Sequence, residues 1–177
     1  MGESYRVLRR TANVAAFSGI TGLVLGVGAV GCLALSPDVA GVIASLVLLA
    51  VGTVELVGRQ RLLRGEPNAI RMLAFNQLAF LGAIVIYCGI QITSFSTNAL
   101  TKELNAAAGG ADLSVLGSFG DPKFIHQLNS LFYGVVIAIS VASQGGLAWY
   151  YARRQKYLDA YRAAEPWQRE LLQRVSF

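Results

Sequence analysis

Residues 11–37 read TANVAAFSGITGLVLGVGAVGCLALSP, 27 positions without a formal charge. A hydrocarbon core about 30 Å thick is crossed by about 20 helical residues, so this one stretch is long enough to span a bilayer. Three further stretches behave the same way. Residues 72–101 run 30 positions uncharged, residues 124–152 run 29 with His126 neutral, and residues 39–58 are interrupted only by Glu55. None alternates polar and apolar residues with the period of two that a membrane barrel strand requires. Helices also satisfy every backbone donor and acceptor within the segment, which lipid cannot do.

The rest of the composition agrees. Of 177 residues, 54% are hydrophobic and 14% charged, a balance outside that of soluble domains and of a length for one domain. The expected fold is all-α: a polytopic four-transmembrane-helix bundle with spans at about 12–35, 39–58, 70–92 and 128–151 and an outer loop at 94–121. Orientation follows from the basic residues. Of the 15 Lys and Arg, 13 fall before span one, between spans two and three, or after span four, all on one side of an even number of crossings. The positive-inside rule then places both termini in the cytoplasm. The net charge of +5 is this topology signal and suits anionic headgroups at the inner face, so nucleic acid is not an expected partner.

Punctuation sets the finer boundaries. Residues 1–10 read as a short amphipathic lead-in, and Ser36-Pro37-Asp38 as a tight outer turn. Pro67 and Pro122 fit first-turn positions of the third and fourth helices. Residues 98–108 are helix formers stopped by Gly109-Gly110. The fourth helix can begin at 122 and run on to Ala164, about 63 Å, and so extend well into the cytoplasm. Pro166 ends it, so that 1–164 form the membrane domain and 165–177 a short amphipathic tail helix.

Candidate chemistry is sparse. Glu55 is the sole acidic residue within a span, and a carboxylate at depth demands a named partner. Arg59 lies one turn later in the favourable order, and the ion pair is expected to act as a tether. Asn76, Gln77 and Gln144 share its depth, which predicts a polar cluster of Glu55, Arg59, Asn76, Gln77 and Gln144 in the inner third of the bundle. Such a cluster serves either as structural glue or as an ion or proton site. Small residues recur four apart in span one, at Ser18, Gly22 and Gly26, and in span four, at Gly134, Ala138, Ala142 and Gly146. These stripes are expected to pack within the bundle or between subunits. Trp149, Tyr150, Arg153, Arg154 and Trp167 form an aromatic and basic exit, expected to anchor at the inner headgroups.

The chain has two cysteines, Cys32 and Cys88, read as free thiols, and one histidine, His126, at an interface. No pair of strong metal ligands stands at usable spacing, and no cofactor is expected. Intramembrane hydrolysis needs a serine–histidine pair, paired aspartates or a histidine–glutamate metal site, and no span holds one, so an enzyme is not expected. Two function classes stay open: an accessory or scaffolding subunit that self-associates or packs in a larger membrane complex, and a homo-oligomeric ion channel or small transporter.

Overall fold

The computed structural model is all-helical and describes residues 2–33, 39–94, 122–164 and 167–168. Helix α1 covers Gly2–Leu33, α2 Val39–Leu63, α3 Ala69–Ser94 and α4 Pro122–Ser140. A π-helical turn over Val141–Gly145 leads into α5, Gly146–Ala152, and α6 follows at Gln155–Arg162. Four helical stretches among these residues are long and apolar enough to cross a membrane: Gly2–Gly31, Gly41–Leu63, Ala69–Thr93 and Lys123–Arg162. The expected helix at 98–108 and all of the outer loop but Ser94 lie outside the described residues, as does the tail helix apart from Trp167 and Gln168.

Helices α1 and α2 both exceed the spans expected from apolarity alone. The lead-in is continuous with span one because Leu8, Ala12 and Ala15, spaced at helical intervals, are buried to 2% exposure or less. Leu62 carries α2 past residue 58 for the same reason, being fully buried. Its end is a Schellman motif. The N–H of Glu66 donates to the carbonyl of Arg61 at 3.0 Å and that of Gly65 to Leu62 at 3.0 Å, with Gly65 at φ 74°. Only glycine enters that backbone region without strain.

The chain divides into two compact units, residues 1–81 with 143–177, and residues 82–142. The first holds the apolar core: Leu8, Ala12 and Ala15 of α1, Leu62 of α2, Ile70 and Leu73 of α3, Tyr151 of α5, and Leu158 and Tyr161 of α6. Helix α6 packs on α1, where the rings of Tyr5 and Tyr161 lie 5.8 Å apart. In the second unit, the later part of α3 and α4 bury Cys88 and Ser140, and the rings of Tyr87 and Tyr133 meet edge to face at 6.4 Å. Leu128, Leu131, Phe132, Val135 and Ile139 stay exposed on α4. A helix facing lipid has no reason to hide such residues.

One expectation about helix four is corrected. Residues 122–164 do not form one uninterrupted helix: the π turn at Val141–Gly145 and a break at Arg153–Arg154 divide them into α4, α5 and α6. At the break the N–H of Arg154 turns to Tyr151 and that of Tyr157 to Arg154, both three residues back. The physical reason lies on α6, whose Leu158 and Tyr161 are buried. Both belong to the apolar core that contains Leu8 of α1, with Tyr5 packed against it.

Candidate functional site: a buried carboxylate

Glu55 is fully buried, and three uncharged donors converge on it. The side-chain amide of Gln77 donates to Oε1 at 2.7 Å and that of Asn76 to the same oxygen at 3.1 Å. The Tyr151 hydroxyl donates to Oε2 at 3.0 Å. Neighbouring positions on α3 thus serve one oxygen while α5 serves the other. Asn76 also donates to the Val51 carbonyl at 3.2 Å, one turn before Glu55 on α2. Gln77 reaches Ser18 Oγ on α1 at 3.4 Å. Four helices are therefore joined through two side chains, Glu55 and Gln77. All three partners of Glu55 are donors, and an ionised carboxylate is an acceptor only, so the donor set matches its hydrogen-bonding capacity.

The backbone geometry that allows this is a close crossing of α1 over α2. A Cβ placed on Gly52 would lie 2.8 Å from the Gly19 carbonyl oxygen and 2.9 Å from the Leu23 nitrogen. One placed on Gly19 would lie 3.0 Å from both the Gly52 carbonyl oxygen and Glu55 Cβ. The absence of side chains at both positions lets the helix axes approach until Ser18 meets the cluster.

The structure brings together only part of the predicted polar group. Glu55, Asn76 and Gln77 meet. Arg59 does not pair with Glu55: the one ion pair among the described residues joins Arg61 Nε and Glu66 Oε2 at 3.6 Å. Both carboxylate oxygens are instead taken by uncharged donors, and Arg59 is half-buried with its Nε unpartnered. Gln144 is half-buried and makes no hydrogen bond to Glu55; it sits in the π turn, seven residues before Tyr151. Tyrosine's longer side chain brings its hydroxyl to the carboxylate from two turns further along. A buried Gln77 Oε1 has no hydrogen-bond partner, so the cluster retains one open acceptor.

Two residues of this site, Tyr151 and Gly52, escape a search of spans for amides, charges and repeated glycines. Tyr151 reads as a belt aromatic among Trp149 and Tyr150, and Gly52 has no small residue four positions later. A usable sign for Tyr151 is its spacing of seven and ten residues from Leu158 and Tyr161, which places all three on one helical face.

The two small-residue stripes have different fates. On α1, Cβ atoms at Gly22 and Gly26 would meet Gly52 Cα at 3.4 Å and Leu49 Cδ2 at 2.9 Å, so this stripe is covered by α2. On the fourth helix, Gly134, Ala138, Ala142 and Gly146 are exposed, and no atom of the described residues lies within 4 Å of a Cβ on Gly134 or Gly146. Packing of that stripe is thus not found among the described residues. At the exit, Arg153 stacks over Trp149 at 4.3 Å and Arg154 over Tyr150 at 4.8 Å and Tyr157 at 5.6 Å. Trp149 and Trp167 are each 61% exposed. Set against protein-family models, curated proteins and solved structures, the chain matches none of them.

Proposed function

We propose that the protein is a non-enzymatic integral membrane subunit that self-associates or packs in a larger complex, with both termini cytoplasmic and a bacterial plasma membrane as its site. The observation that carries this reading is the uncovered face of the fourth span. Gly134, Ala138, Ala142 and Gly146 are exposed, while the equivalent stripe of α1 is already filled by α2. Small residues facing lipid forgo the close backbone approach that drives helix association in membranes. A neighbouring helix from a second subunit supplies it. Glu55 supports the same reading, because its hydrogen bonds tie the helices together.

Native mass spectrometry of protein extracted in mild detergent from its own membrane tests the proposal. A homo-oligomer or a defined complex with another membrane protein is the expected result, and it should dissociate when Gly134 and Ala138 are both replaced by leucine. A wild-type monomer at every protein concentration would sink it.

One observation favours a second reading, a homo-oligomeric channel or small transporter: the open acceptor of Gln77 beside the Glu55 carboxylate. Buried acceptors of this kind suit a proton or cation in passage. Glu55→Gln separates the two readings. If Glu55 is a tether, the variant unfolds at lower temperature, since one accepting oxygen is replaced by an NH2 that cannot accept from the donor facing it. If it is a transport group, folded protein in liposomes loses ion flux that wild-type liposomes show.

A further inference from the structure

Arg59 and Arg154 are alike in a way the other described basic residues are not. Each is half-buried, and the Nε of each is shut off from water without a hydrogen-bond partner. Neither has an acidic partner among the described residues. A partly desolvated cation without a counter-charge is costly, because burial weakens its hydration and nothing replaces it. For Arg154 the cost is lowered on its faces by Tyr150 and Tyr157. Stacking covers the faces of the guanidinium and leaves its Nε without an acceptor.

The two arginines also stand at one level. Helix α2 runs in the same direction as α5 and α6: Tyr151 donates to Glu55 across a separation of 96 residues. The same separation recurs where the Tyr161 ring lies 3.2 Å from a Cβ built on Gly65. Between these two rungs the register sets Arg154 level with Gly58, one residue from Arg59. Both follow closely on the carboxylate bond, Arg59 four residues after Glu55 and Arg154 three after Tyr151. Two uncompensated guanidiniums at this level, beside the exposed Trp149, mark the depth of phospholipid phosphates.

We infer that Arg59 and Arg154 together form a seat for the phosphate of one anionic phospholipid between α2 and the α5–α6 junction. This rests on the membrane-spanning reading given above and assigns a discrete site where charge alone implies diffuse attraction. The terminal nitrogens of the two forks hold the phosphate oxygens as charge-assisted donors. The acyl chains lie along the apolar spans. Basic pockets between helices at the headgroup level hold anionic lipids by this chemistry.

Native mass spectrometry with added phosphatidylglycerol or phosphatidylcholine of matched chains tests the seat. Wild-type protein should hold one phosphatidylglycerol in preference to phosphatidylcholine. Arg59→Gln and Arg154→Gln should each weaken that binding about tenfold, the scale of one lost hydrogen bond to a charged group. Arg71→Gln removes the same charge from an exposed position on α3 and should leave the affinity within about twofold. Arg59→Lys with Arg154→Lys keeps both charges and should restore the preference for phosphatidylglycerol. Equal losses for Arg71→Gln and the two site variants would overturn the seat in favour of diffuse attraction. Displacement of the lipid by millimolar inorganic phosphate would overturn it in favour of a free-anion site, and so would a folded lysine variant without the preference. Failure of the membrane-spanning reading shows separately, as wild-type protein that does not incorporate into lipid nanodiscs.

Discussion

Helix α1 and the fourth helix carry small residues at the same four-residue spacing, yet one stripe is filled and the other open. What separates them is the partner. Helix α2 offers Gly52 opposite Gly19 and Gly22, so two backbones lacking side chains meet and the crossing tightens until atoms touch. Around Gly134 and Gly146 no such counterpart stands within 4 Å among the described residues. Spacing of small residues therefore identifies a face able to pack, and the complementary gap on the opposing helix decides whether it does. This is a geometric restatement of why dispersion, which falls off within a fraction of an ångström, needs both surfaces to be smooth.

The sharpest way to break the contrast is Gly52→Val. Its Cβ alone would crowd the Gly19 carbonyl and the Leu23 nitrogen, both backbone atoms that cannot swing away. Destabilisation of about 3 kcal/mol or more is expected, read as reversible unfolding in mixed micelles. A wild-type unfolding curve would show that the helices separate there at little cost, and the contrast between the stripes would disappear. Next in size is Tyr151→Phe, which leaves Glu55 Oε2 without its donor and should cost about 2 kcal/mol in the same measurement. Gln144→Ala, with no bond to the carboxylate, should stay within about 0.5 kcal/mol.

Smaller effects sharpen the comparison further. Gly22→Ala places a methyl at ordinary contact distance from Gly52, 3.4 Å, and should shift stability by less than about 1 kcal/mol. Gly134→Ala, in open space, should leave the unfolding of the isolated chain within about 0.5 kcal/mol. The same substitution should still alter the distribution of assembled species on size-exclusion chromatography, since only association covers that face. Altered unfolding with unaltered assembly would reverse the assignment of the two stripes.

Much of the architecture could be read from residues alone, for reasons specific to lipid. Uncharged runs of 27 to 30 residues leave the chain few alternatives to spanning helices. A single acidic residue among them leaves any polar neighbours at its depth few other partners, which is how Asn76 and Gln77 could be placed with Glu55. Local order misled in two places. Arg59 is Glu55's nearest basic residue along the helix, yet sequence proximity says nothing about the uncharged donors that take both carboxylate oxygens instead. Residues 146–162 contain no proline to mark the break at Arg153–Arg154, because that break arises from the burial of Leu158 and Tyr161 against α1. The π turn was equally hidden, although Gly145-Gly146 in mid-span is a place where a helix yields easily.

The bond from Tyr151 to Glu55 also imposes an order on assembly. A chain is made from its N-terminus, and helices enter the bilayer before they associate. Glu55 is synthesised 96 residues ahead of its tyrosine, and Asn76 and Gln77 arrive in between. From Gln77 until Tyr151 the carboxylate has one oxygen served and one waiting. A chain arrested before its last span retains an incompletely satisfied acid at membrane depth, a chemical mark by which an unfinished molecule differs from a complete one.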